Sequence, residues 1–220
     1  MFNEIFSGKC PACSGASAIN APLCSSCLSQ IKPFIHFCGK CGFPLSKPGA
    51  SCYRCKGKLS KRITNIYALY HYDKTVRSII LQMKFHYNVR LGYTFKKLIN
   101  LPNFVTKYDG IITVPSHFFR HFFRFYHPAD LLAKYTAFKL NIPLLHNLKR
   151  VRYTKFQSHI SKEERKENVH NAFKCSKFNE NIKNILLIDD ILTTGATINQ
   201  CVNEIYKAGA KRIDVLVFAK

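Results

Sequence analysis

Residues Asn184 to Thr197, NILLIDDILTTGAT, constrain this chain more than any other stretch. Ile185 to Ile188 is a continuous aliphatic run of strand length, as a buried strand requires. Two carboxylates follow at once, Asp189 and Asp190, then Ile191 and Leu192. Thr193, Thr194, Gly195, Ala196 and Thr197 make a turn of small and hydroxyl-bearing residues. From Asn199 to Ala208 the spacing of Cys201, Val202, Ile205 and Tyr206 is helical, and Gly209 supplies a stop.

A strand, an acidic pair, a small-residue loop and a helix form half of a βαβ unit, and open α/β sheets bind ligands at that end of their strands. Small residues let backbone N–H groups approach an anion, and the helix start adds partial positive charge. Threonine hydroxyls are further donors. Carboxylates would repel a phosphate, yet they accept hydrogen bonds from sugar hydroxyls. The stretch therefore suits a phosphorylated pentose. It resembles the binding motif for phosphoribosyl pyrophosphate (PRPP) of type I phosphoribosyltransferases, in which two acids after four aliphatic residues precede a TTG-type loop.

At 220 residues the chain has room for one α/β domain and a small appendage, and 47% hydrophobic residues supply a sizeable core. No apolar run approaches the roughly 20 residues of a membrane helix. The segment MFNEIFSGKCPAC has no apolar signal core or cleavage site, so the expected location is the cytoplasm. Net charge is +22, and it is unevenly spread. Residues 1–162 hold 25 of the 34 Lys and Arg against Glu4, Asp73, Asp109 and Asp130, whereas residues 163–220 are nearly balanced. A sugar phosphate needs two or three cations. Such an excess suits a polyanion, nucleic acid first and an anionic membrane surface second, or else a lysine-rich solubilising surface.

Eight of the ten cysteines form four CxxC pairs at a uniform spacing: Cys10/Cys13, Cys24/Cys27, Cys38/Cys41 and Cys52/Cys55. Two such pairs close a four-thiolate tetrahedral site with no open position, which is structural rather than catalytic. Fewer than 60 residues rich in Gly, Pro and Lys cannot rest on an apolar core alone, and two Zn²⁺ ions would supply the missing stability. Joining neighbouring pairs closes the shortest loops; crossed pairing and disulfides are the alternatives. Cys175 and Cys201 read as ordinary thiols, the latter on the inner face of its helix.

Lys56 to Arg62, KGKLSKR, is a polar hinge that places a domain boundary near residue 60. Ile63 to Tyr72 alternates as a strand. Asp73 to Met83 reads as a helix with Val76, Ile79, Ile80 and Met83 on one face, and Leu91 to Ile99 as a second. Gly110 to Val114 is the first buried strand expected in the main sheet. Pro128 to Leu140 is a helix opened by its proline, with Leu131, Leu132, Tyr135 and Phe138 expected inward. Ile213 to Ala219 closes the chain as a strand. Strands alternating with helices predict a parallel sheet of βαβ units. In the segment Ser116 to His127, SHFFRHFFRFYH, phenylalanines alternate with cations or histidines. Such a pattern suits stacking on unpaired bases with Arg on phosphates, through Arg120, Phe122, Arg124 and Phe125, or a helix with a Phe core face.

Taken whole, the chain is similar to the ComF family of competence-associated phosphoribosyltransferase-like proteins. The cysteine module carries part of the resemblance, and IILQMKF (residues 79–85) matches the family's short helix ending in Lys-Tyr or Lys-Phe. Arg150, Arg152, Thr154, Gln157, Ser161, Arg165, Asn168, Val169, Ala172 and Phe173 follow a family pattern, and the Asp189–Thr197 motif completes the match. One block departs: where the family has Arg-Gly-Phe-Asn-Gln, this chain has Arg124-Phe125-Tyr126-His127-Pro128.

The resemblance implies a type I phosphoribosyltransferase-like α/β domain over residues 61–220 behind a double zinc ribbon over residues 1–60. Asp189 and Asp190 would hold the ribose hydroxyls and stabilise positive charge on the ring. Thr193, Thr194, Gly195, Ala196 and Thr197 would bind the 5′-phosphate, and Lys84 would face the pyrophosphate. Mg²⁺ would accompany PRPP, and Arg120 and Arg124 would close over the site. Purine-salvage enzymes carry an acid where this chain has Thr193, so a general base toward a purine is missing. The resemblance thus implies a competence protein of natural transformation that binds single-stranded DNA and a phosphoribosyl ligand. An active phosphoribosyltransferase is the rival, and a scaffold for a DNA translocase or helicase a third reading.

Overall fold

The computed structural model describes residues 8–17, 21, 23–34, 36–47, 52, 59–85, 89–104, 106–115, 127–152 and 171–220. Its centre is a four-stranded, all-parallel sheet in the order β3-β8-β7-β4. The strands are β3 (Ile63–Tyr70), β4 (Gly110–Thr113), β7 (Asn184–Ile191) and β8 (Arg212–Ala219). The aliphatic run of β7 is central because both of its faces are covered. Leu186 and Ile188 enter one core, Ile185 and Leu187 the other, as the two-residue period of a strand demands.

On one face lie α2 (Lys74–Phe85), α3 (Val89–Leu98) and α4 (Pro128–Leu140). The other face is covered by α5 (Ala196–Lys207), with the antiparallel pair β5 (Leu148–Arg150) and β6 (Phe173–Cys175) beside it. The parallel α/β sheet expected from the sequence is present, and β3 belongs to it as an edge strand rather than standing apart from it. No helix among the described residues is long and apolar enough to cross a membrane.

Both sheet edges are occupied, which removes the exposed hydrogen-bonding row that invites edge-to-edge pairing. Along β3 the N-terminal module supplies the partners: Phe34 N–H donates to Leu69 O (2.9 Å) and Ile66 N–H to Gly39 O (2.6 Å). Along β4, Ile111 N–H donates to Pro143 O (2.9 Å) and Leu145 N–H to Ile111 O (2.8 Å). The module itself contains the short pair β1 (Gly8–Lys9) and β2 (Ala16–Ser17) and the helix α1 (Ser25–Gln30).

Two expected inward faces differ. In α4 the buried residues are Pro128, Ala129, Leu132, Ala133 and Thr136, while Phe138 is 82% exposed. Position 138 lies nine residues beyond Ala129, half a turn round a 3.6-residue helix from it, and small side chains let α4 approach the sheet closely. Helix α5 starts at Ala196, three residues earlier than its apolar spacing suggested, and buries Ile198, Cys201, Val202 and Ile205, leaving Tyr206 exposed.

Candidate functional site

Asp189 and Asp190 lie just before the last residue of β7, at the carboxyl end of the parallel strands. Strand alternation directs them to different neighbours. Asp190 is buried and forms a close ion pair with the Lys84 ammonium from the last turn of α2. His127, at the N-cap of α4, adds a second facing group from another element. Burial alone would raise the Asp190 carboxyl; Lys84 first and His127 next outweigh it and hold it below the ordinary value. Asp189 accepts the Asp190 N–H at 2.8 Å. Burial, reinforced by the adjacent Asp190 charge, pushes the Asp189 carboxyl well above the ordinary range. Its charge also reaches toward α5, where it adds to the burial that raises the Cys201 thiol. The two neighbouring carboxyls are thus pushed in opposite directions by their surroundings.

Leu192 then turns back into the core, and residues 193–195 form the expected tight loop. Thr193 is exposed, and the Thr194 hydroxyl accepts the Ala196 N–H at 3.4 Å. Gly195 has φ +81°, a left-handed conformation that costs a residue with a Cβ. It is also the N-cap of α5, with no acid in the first helical turn. Ala196 and Thr197 are therefore helical residues at a positive helix end rather than members of an extended turn.

The fold thus brings Lys84, Asp189, Asp190 and residues Thr193 to Thr197 to one end of one strand. Arg120, Phe122, Arg124 and Phe125 lie outside the described residues. His127 escaped the sequence reading, although its place just before Pro128, at the first position of a helix, marked it as a terminal residue. Sequence reading also missed the segment preceding β3. Ser60 N–H donates to Asn199 Oδ1 (2.8 Å), and Arg62 Nη1 donates to Asn203 Oδ1 (2.8 Å). The Arg62 guanidinium also lies 4.5 Å above the Tyr206 ring. Described residues of the polar hinge are pinned along α5.

The cysteines gather as neighbouring pairs. The thiols of Cys10, Cys13, Cys24 and Cys27 all lie within 4.8 Å of one another, as do those of Cys38, Cys41 and Cys52. Cys55 lies outside the described residues. Four sulfurs at about 2.3 Å from a tetrahedral ion sit about 3.8 Å apart, and Cys13–Cys24 (3.7 Å) and Cys41–Cys52 (3.5 Å) match that spacing. Backbone donors surround the first set: Cys24 N–H and Ala12 N–H reach Cys10 Sγ at 3.4 and 3.5 Å. Against the upward push of burial, these bonds bring the Cys10 thiol down to about 7, whereas burial and the neighbouring thiols push Cys27 of the same set up. Both sets could hold an ion, and their donor chemistry suits zinc.

No protein-family model matches the chain. Competence protein F of Haemophilus influenzae is 32% identical over 228 residues, covering 99% of this chain and 99% of that protein. The DNA utilization protein YhgH of Salmonella typhimurium is 25% identical over 201 residues, 88% of each. YhgH of Escherichia coli K12 is 24% identical over the same length. Among solved structures, the glutamine phosphoribosylpyrophosphate (PRPP) amidotransferase of B. subtilis, complexed with ADP and GMP, overlaps at 16% identity with a TM-score of 0.34. The overlap spans 66% of this chain and 27% of that one, and it is too loose to build on. Identity of 32% along essentially the full length of both proteins decides the matter, and this chain belongs to the ComF family, the family of competence protein F.

Proposed function

We propose that this chain is a competence protein of natural transformation, acting in the cytoplasm on incoming single-stranded DNA and holding a PRPP-like ligand at the end of β7. The observation that carries the ligand is the convergence of Asp189, Asp190, Lys84 and the loop of Thr193, Thr194 and Gly195 on one strand end, with Ala196 and Thr197 opening the following helix. The ion pair divides the roles of the carboxylates. Asp190 orients Lys84 toward the pyrophosphate, and Asp189, which has no ion pair among the described residues, accepts the ribose hydroxyls. The loop and the α5 N-terminus take the 5′-phosphate. Mg²⁺, arriving with PRPP, neutralises pyrophosphate charge. The cysteine sets hold two structural Zn²⁺ ions, and the module they organise (residues 1–60) stands as a unit before the phosphoribosyltransferase-like domain (61–220).

The DNA part rests on the net charge of +22, concentrated in residues 1–162, and on the names of the relatives. The partner surface is assigned to Arg120, Phe122, Arg124 and Phe125, with a DNA-uptake or helicase protein as a further partner. Calorimetric titration of the zinc-loaded chain with PRPP and Mg²⁺ tests the ligand. Saturable binding that Asp189→Asn weakens at least tenfold is expected; heat that the variant leaves unchanged would sink the assignment. Single-strand affinity should fall steeply with salt as counterions are released, and a flat salt response would remove the DNA reading. The same placing of Asp189, Asp190 and Lys84 at the end of β7 also suits a second reading, an active phosphoribosyltransferase. Pyrophosphate release from PRPP in the presence of a nucleobase, lost in Asp189→Asn, would promote it.

A further inference from the structure

The second cysteine set is built against the loop that the preceding reading assigns to the 5′-phosphate. Between Cys41 and Cys52 in the chain, Gly42 (φ +67°) packs so tightly that an added Cβ would sit 3.0 Å from Ile66 Cγ2, 3.1 Å from Lys220 Cδ and 3.8 Å from Leu192 Cδ2. Leu192 lies two positions after Asp190 and immediately precedes Thr193. Its other methyl, Cδ1, lies 3.7 Å from where a Cβ on Gly195 would be. One buried side chain therefore has one methyl beside Gly42, next to Cys41, and the other beside the loop glycine Gly195. Leu59 Cδ2 and Cγ crowd the same Cβ position on Gly195.

Leu59 stands seven positions after Cys52 in the sequence and begins the segment docked on α5. Ser60 on Asn199 and Arg62 on Asn203 and Tyr206 continue the contact. Positions 195, 199, 203 and 206 are spaced four, four and three apart, so they form one ridge of the helix. The segment is a strap laid along that ridge, with its leading leucine on the loop. Leu192 and Leu59 both border Gly195; Leu192 also lies beside Gly42 next to Cys41, and Leu59 follows Cys52 by seven positions in the chain.

We infer that metal in the Cys38/Cys41/Cys52 site and a sugar phosphate on the 193–195 loop bind cooperatively, with Leu192 and Leu59 as the positioning residues that couple them. The inference rests on the PRPP reading above. Cooperation between binding sites is reciprocal, so it can be read on the metal. The full zinc-loaded chain is mixed with a chromophoric chelator, with and without PRPP and Mg²⁺, and zinc release is followed while PRPP affinity is measured separately by calorimetry. PRPP should slow one of the two release phases by about fivefold or more, within the usual range of coupling, and leave the other unchanged. Leu59→Ala should abolish that slowing and weaken PRPP, while Leu59→Met, which conserves volume, restores both. PRPP that binds without altering either phase would overturn the inference and leave the ligand assignment standing. PRPP that does not bind would overturn the assignment itself and the inference with it. A Leu59→Ala chain that still shows the full slowing would also refute the coupling route.

Discussion

The two faces of the sheet are built on different plans, although each carries one carboxylate and one set of cysteines beside it. On the α2 side the first set is part of the core. Cys10, Leu23, Cys27 and Ile31 share one apolar cluster with Leu69, Val76, Ile79 and Phe218. Ser78 on α2 donates to Ala12 O (2.8 Å), and Thr75 donates to Gln30 Oε1 (3.0 Å). The other end of α2 delivers Lys84 to Asp190. On the α5 side the cover is a single helix, a short hairpin and a strap, and the second cysteine set meets the loop rather than the middle of the core. The difference teaches that similar CxxC pairs serve two ends: one set completes a core, the other borders the 193–195 loop.

The sharpest way to break this comparison is to remove one thiol from each set. Cys24→Ser should open the first site and, with it, the shared core under α2. Losing the proposed structural Zn²⁺ belongs among the rare large effects, so more than about 4 kcal/mol of global stability is expected to go. Cys41→Ser should cost clearly less in denaturant unfolding, because the sheet keeps its α2 layer. Its effect should appear in hydrogen exchange at residues 192–199. Equal losses in the two unfolding curves would erase the distinction between the faces.

A smaller effect separates the carboxylates. Asp190 has a carboxyl held down by Lys84 and His127 against its burial. The stability it contributes is present above the unfolded value of roughly 4 and disappears as pH falls through the lower folded value. Asp190→Asn strands a half-buried ammonium. Breaking a buried pair costs about 3–5 kcal/mol; Lys84 retains some solvent, so about 2 kcal/mol is expected at pH 7, shrinking below about pH 4. Asp189 has the opposite sign. Its carboxyl is raised, so the folded chain favours its proton, and stability declines as pH rises from the unfolded value toward the folded one. Asp189→Asn should therefore be neutral or stabilising at pH 7. Melting curves of both variants between pH 3 and 8 decide it, and similar losses for the two would contradict their separate environments.

How much of this was legible in the sequence follows from which interactions are local. The β7 run could be read because a strand buried on both faces must be aliphatic throughout, and Pro128 announced the start of α4 because its fixed φ suits that position. Uniform CxxC spacing announced the cysteine sets; the fold adds that neighbours pair. Phe138 misled because apolar spacing favours large side chains, whereas the close approach of α4 is made by Ala129, Ala133 and Thr136. Residues 59–62 read as a hinge because they dock through a backbone N–H, a guanidinium and one leucine, none of which leaves a period. Lys84 with Asp190, and His127 beside them, meet only because three elements converge, a fact no local pattern records.

The smallest expected effect concerns the seams that hold the two plans to the sheet. Ser78→Ala removes the hydroxyl that joins α2 to the Ala12 carbonyl of the first cysteine set. A neutral hydrogen bond contributes about 0.5–1.5 kcal/mol net, and this one is partly reached by water, so about 0.5–1 kcal/mol should be lost. Asn203→Ala removes the corresponding bond from Arg62 on the α5 side, which is exposed. Water replaces that partner, and Arg62 keeps its contact with the Tyr206 ring, so the loss should stay below about 0.5 kcal/mol. A larger loss for Asn203→Ala than for Ser78→Ala would mean that the strap, and not the α2 seam, fastens the N-terminal module to the sheet.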